Sequence, residues 1–170
     1  SWLKDYLYIP LGGNRKATIG TYLNFGFILL VIMLMASSWI VTVAILSFAL
    51  VLFLLIRFVP SVADGIKSNI NRLITMLLGG MWHGSSWNFL VWGGLNGVGL
   101  IFDKYWQKIS PFAKFNGGFV NFIRVLNTFL FITVTWVFFR SQDFDTAIAM
   151  FKNVFTNFHF EYVPAVIAAY

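Results

Sequence analysis

The sequence predicts an all-α, polytopic transmembrane protein with a re-entrant or broken helix pair around a Trp-His-Gly motif. Three observations carry that expectation. Apolar residues make up 59% of the 170 positions and charged residues only 11%, against about a quarter charged in a soluble domain. Mean hydropathy is +0.78, and a water-facing surface this apolar would be covered in large sticky patches. Apolar runs of about 20 residues, the length a helix needs to cross a bilayer, alternate with short polar breaks.

The elements follow in order. A first spanning helix is expected over residues 19–35 and a second over 39–59, with Ala36-Ser37-Ser38 as the only break between them. Arg57 and Pro60 close the second. Residues 61–71 read as a polar, basic stretch, and a short apolar helix over 72–81 follows. That helix is too short to cross alone and runs into Gly79-Gly80-Met81-Trp82-His83-Gly84-Ser85-Ser86, rich in helix-breaking residues. A second apolar helix is expected over 87–102 and a basic loop over 103–121, with Asp103 buried at a helix end. The last clear span is 122–139, closed by Arg140. Residues 143–155 carry an amphipathic pattern (Phe144, Ile148, Phe151, Val154, Phe155) suited to the membrane interface.

Charge placement tests this order. With 72–102 as a hairpin that enters and leaves on one side, Lys4, Arg15, Lys16, Arg57, Lys67, Arg72, Lys104, Lys108, Lys114 and Arg124 share that side. These are ten of the twelve basic residues, and such a bias marks the cytoplasmic face. Irregular backbone at membrane depth is tolerated only where protein or water surrounds it, so the hairpin tip is expected to line a cavity. The net charge of +6 then reflects loops facing anionic headgroups and not a nucleic-acid partner. The absence of cysteine excludes thiol nucleophiles and thiolate metal sites.

The chain has two histidines. His159, in Asn157-Phe158-His159-Phe160-Glu161, reads as an interfacial tail residue. His83 lies between two apolar segments, and an ionisable residue at membrane depth is a functional candidate, the alternative being a histidine bonded to backbone at a helix break. Imidazole exchanges protons near neutral pH. Trp82, Ser85, Ser86 and Asn88 flank it as candidates to line the substrate path, orient the ring or donate to a developing oxyanion. One histidine without neighbouring acids or cysteines makes no metal site, and Gly84-Ser85-Ser86 is no nucleophile elbow. A second candidate segment is the Gly12-Gly13-Asn14 turn with Arg15 and Lys16 behind it, read either as a basic anchor at the headgroups or as the approach of an anionic acyl donor.

Two segments carry a resemblance. Trp2-Leu3-Lys4-Asp5-Tyr6-Leu7-Tyr8-Ile9-Pro10-Leu11-Gly12-Gly13-Asn14-Arg15 and Gly79-Gly80-Met81-Trp82-His83-Gly84-Ser85-Ser86-Trp87-Asn88-Phe89-Leu90-Val91-Trp92-Gly93 resemble, in the same order, signatures of the membrane-bound O-acyltransferase family. Thr135-Trp136-Val137-Phe138-Phe139-Arg140 is similar to its closing span. The resemblance covers residues 1 to about 155, and the bacterial polysaccharide branch is the nearest in kind. It implies transfer of an acyl group from a thioester donor, acetyl-CoA or an acyl carrier, to a hydroxyl, with the Trp-His-Gly histidine, here His83, as the catalytic base and no bound cofactor. It also implies a bacterial inner-membrane location, and an envelope polysaccharide or an extracytoplasmic acetyltransferase as the receiving partner. The family's segment with a second histidine, upstream of Asp5-Tyr6-Leu7-Tyr8, is not in this sequence. The chain therefore reads as the C-terminal part of a longer protein, with 1–156 in the membrane unit and 157–170 as a tail or the start of a further span. A transporter or channel subunit, or a non-catalytic scaffold of an export complex, is the rival reading. A transporter would show a second copy of the broken helix, and a scaffold would tolerate loss of His83.

Overall fold

The computed structural model describes residues 2–14, 16–111, 115 and 117–156, without the side chain of Phe155. Arg15, Lys114, His159 and the 157–170 tail lie outside the described residues. A π-helical turn, Leu3–Tyr8, precedes α1 (Ile19–Ala36), α2 (Trp39–Phe58), α3 (Pro60–His83), α4 (Trp87–Ile109), α5 (Gly118–Arg140) and α6 (Phe144–Thr156). Among the described residues there is no strand.

Helices α1, α2 and α5 are long and apolar enough to cross a membrane. Their side chains point mostly outwards: α2 buries none of its residues and α1 only Thr21 and Ile28. In water that exposure would be untenable; in lipid it is the outer wall. Ser37 turns the chain between α1 and α2 in the left-handed conformation, its amide donating to Met33 O at 3.1 Å, as helix C-terminal caps do.

α3 departs from expectation. The polar stretch 61–71 and the short helix 72–81 are one 24-residue helix. Pro60 opens it at a position where no amide hydrogen bond is lost. Its polar residues are not loop residues. Ser68, Asn71 and Thr75 are buried, and each has a hydrogen-bond partner. Gly79 and Gly80 do not break it either; the break is confined to residues 84–86.

The reason is the packing of α4. A Cβ on Gly80 would lie 2.3 Å from Phe89 O, and one on Gly93 would lie 2.4 Å from Met76 O. The two backbones touch, as small residues permit between membrane helices, and tertiary contact overrides helix propensity. Further along, Gly97 meets Leu73, and Asn69 donates to the Tyr105 hydroxyl at 2.9 Å. That register is antiparallel, so the hairpin returns the chain to the end where α3 began. Ile28, Ile70, Ile74, Leu77, Leu90 and Leu11 form the apolar core around α3.

The expected basic loop 103–121 is shorter than predicted, because α4 continues to Ile109. Asp103 is exposed in mid-helix, not buried at its end, and accepts from Gln107 Nε2 at 2.7 Å one turn on. α5 runs antiparallel to α4, with Phe131 against Gly99 and Phe139 against Phe89 and Trp92. α6 folds back on the end of α5 through Phe144 and Phe151, with ring centroids 5.8 and 5.5 Å from Phe138. Asp143 caps it, accepting from the Thr146 amide at 2.7 Å, and hydrogen bonds from Thr146 hold its carboxyl below the usual range.

Candidate active site

His83 is the last residue of α3, at the tip of the α3–α4 hairpin. Its ring is set among four aromatic rings: Trp82 and Phe139 at 5.0 Å, Trp92 at 5.8 Å and Phe89 at 6.1 Å between centroids. Three helices supply this cage, the end of α3, the start of α4 and the last turn of α5. The ring is exposed on its remaining side, where a buried position in a lined cavity was expected. The tip ends at His83, and the aromatic rings cover only the flank facing α4 and α5. Among the described residues no hydrogen bond reaches either ring nitrogen.

The flanking candidates separate into different roles. Trp82 is 83% exposed and meets His83 edge-on, so of the group it is the one beside the ring and open to a ligand. Ser85 is exposed. Ser86 caps α4, its hydroxyl accepting from the Asn88 amide at 3.3 Å. Asn88 is buried, and its Nδ2 donates to Ser141 O at 3.0 Å. That bond ties the start of α4 to the residue after α5 and so brings Phe139 to His83. Asn88 Oδ1 and Trp92 Nε1 are buried without a partner among the described residues, which leaves one uncommitted N–H donor in the cage. Trp92 and Phe139 were missed in the sequence. Trp92 lies nine residues beyond His83, and the place of Phe139 depends on how α5 packs.

The second segment is built around Asn71. Gly12, at φ 106°, lets the chain turn so tightly that a Cβ there would lie 2.1 Å from Lys16 O. Asn71, fully buried on α3, donates to Gly13 O and to Lys16 O, both at 3.0 Å, and its Oδ1 lies 2.9 Å from the Thr21 hydroxyl. This pins the loop to mid-α3. The Lys16 side chain is exposed.

Similar proteins are found among bacterial proteins named as O-acetylases and O-acetyltransferases. The probable alginate O-acetylase of Pseudomonas fluorescens is 31% identical over 156 residues, 92% of this chain and 21% of that protein. The corresponding protein of Azotobacter vinelandii is 29% identical over the same shares. The peptidoglycan O-acetyltransferase of Helicobacter pylori is 27% identical over 90% of this chain and 20% of its own length. The chain thus spans about a fifth of the length of the curated relatives it matches. No family model and no solved structure matches it. Similarity carried along nearly all of the chain, on helices that need lipid around them, makes this an integral membrane protein whose curated homologues are of the membrane-bound O-acyltransferase family.

Proposed function

We propose that the protein is a membrane O-acyltransferase that moves an acyl group, acetyl in kind, from a thioester donor toward hydroxyls of an envelope or exported polysaccharide. The observation that supports this best is the lone imidazole at the hairpin tip. A match of 156 residues in a chain of 170 must contain it, and the matched proteins are named as O-acetylases. His83 is the general base. A free ring nitrogen takes the proton of the acceptor hydroxyl, and the oxygen attacks the thioester carbonyl. The carbon–sulfur bond then breaks, and the leaving thiolate takes the proton back from the imidazolium. Base assistance of this kind contributes about 10²–10⁴-fold. Phe89, Trp92 and Phe139 keep water from one side of the ring, which protects a thioester from hydrolysis.

The donor is acetyl-CoA or an acyl carrier, both anionic. Arg15 and Lys16 draw it in, the Lys16 carbonyl being held by Asn71. The protein sits in the bacterial inner membrane, its apolar wall against lipid, and passes the group to the polysaccharide or to an extracytoplasmic acetyltransferase. The test is the O-acetyl content of envelope polysaccharide, read by proton NMR, in cells lacking the protein and in cells carrying it again. Loss and recovery of the acetyl signal are expected. Unchanged acetylation would overturn the assignment.

A further inference from the structure

We propose that Arg72 on α3 and Lys104 on α4 form a phosphate-binding site, which holds the phosphate at the base of the donor's pantetheine arm. The inference rests on the thioester-donor reading above. Arg72 Nη1 and Lys104 Nζ converge on one hydroxyl, Ser68 Oγ, at 2.9 and 3.3 Å, and both reach Asn69 Oδ1, at 3.4 and 3.1 Å. Ser68 is buried, and both cations are half-buried. Arg72 also donates to Asn14 at the end of the Gly12-Gly13 turn.

Two positive charges drawn onto one hydroxyl repel each other. Among the described residues no carboxylate lies within ion-pair distance of either. Asp103, the one acid on the adjoining groove, is engaged by Gln107. Burial, and after it the Arg72 guanidinium, hold Lys104 below the ordinary lysine range. A partly desolvated cation pair of this kind is stabilised by an anion with several oxygens, and a guanidinium beside an ammonium suits phosphate. The groove is open, about 520 Å³, and Lys108 adds a third positive charge to its lining.

Position ties this site to the chemistry. Eleven residues of one unbroken helix separate Arg72 from His83, a rise of about 16 Å. A pantetheine arm is an extended chain of comparable length, with a thioester at one end and a phosphate at the other. Coenzyme A and carrier-protein donors share that phosphate, so one site serves both. A lipid headgroup offers the same chemistry from the bilayer.

The test is binding without turnover, on the purified protein in phosphatidylcholine nanodiscs, with 4′-phosphopantetheine and pantetheine as probes. The phosphorylated probe is expected to bind at least about tenfold more tightly, as charge-assisted hydrogen bonds to phosphate allow. Arg72→Gln with Lys104→Gln should erase that difference and leave pantetheine binding unchanged, while Arg72→Lys with Lys104→Arg should keep it. Equal binding of both probes, with the double Gln variant losing only retention of phosphatidylglycerol, would reject the donor phosphate in favour of a lipid one. No change with either ligand would overturn the site altogether. Because no acyl group moves, this outcome is independent of whether His83 catalyses transfer.

Discussion

Asn71 has no exposed surface, and its carboxamide binds three groups: the Gly13 carbonyl, the Lys16 carbonyl and the Thr21 hydroxyl. Removing it strands buried acceptors, which costs about 1–3 kcal/mol for a group of this kind. Asn71→Ala should therefore lower the thermal unfolding midpoint in detergent, whereas an unchanged midpoint would mean that water replaces the amide. None of this was legible beforehand. In Asn69-Ile70-Asn71-Arg72 a buried asparagine looks like any polar residue of a loop, and its partners lie fifty or more positions away. His83 was legible for the opposite reason, as a single ionisable residue between apolar runs. Its exposure was not, because that depends on where the last turn of α5 places Phe139.

At the scale of elements, α1, α2 and α5 could be read directly as apolar runs, since lipid imposes length and composition together. α3 and the end of α4 could not. Their polar residues face one another across the hairpin, Ser68 and Asn69 toward Lys104 and Tyr105, and a polar contact inside a membrane protein looks in sequence like a loop. The hairpin depends on Gly80 and Gly93, where the helices meet backbone to backbone. Gly80→Val should push α4 away and destabilise the protein by about 1–3 kcal/mol, the range for an overpacked site. Gly94→Ala is the control, since its Cβ would meet only Leu77 Cδ2 at 3.7 Å, an ordinary contact. Equal unfolding midpoints for the two variants, measured in the same detergent, would show that the crossing is looser than described.

Across the whole molecule, recognition and chemistry sit at different heights. The loop of residues 11–16 and the Arg72–Lys104 pair share mid-α3, while His83 lies at the tip beside the last turn of α5. In the function proposed above, with the basic loops turned to the cytoplasm, a donor held at Arg72 would present its thioester deeper, toward the side where an exported polysaccharide would receive it. This arrangement requires the acyl group to pass His83. The direct measurement is transfer of labelled acetyl from thioester donor to polysaccharide hydroxyls, in membranes with equal amounts of wild-type, His83→Ala and His159→Ala protein. His83→Ala should lose about 10²-fold or more of the transfer rate with normal membrane insertion, and His159→Ala should match the wild type. Transfer at the wild-type rate by a well-inserted His83→Ala protein would contradict the catalytic role and leave the hairpin as a scaffold.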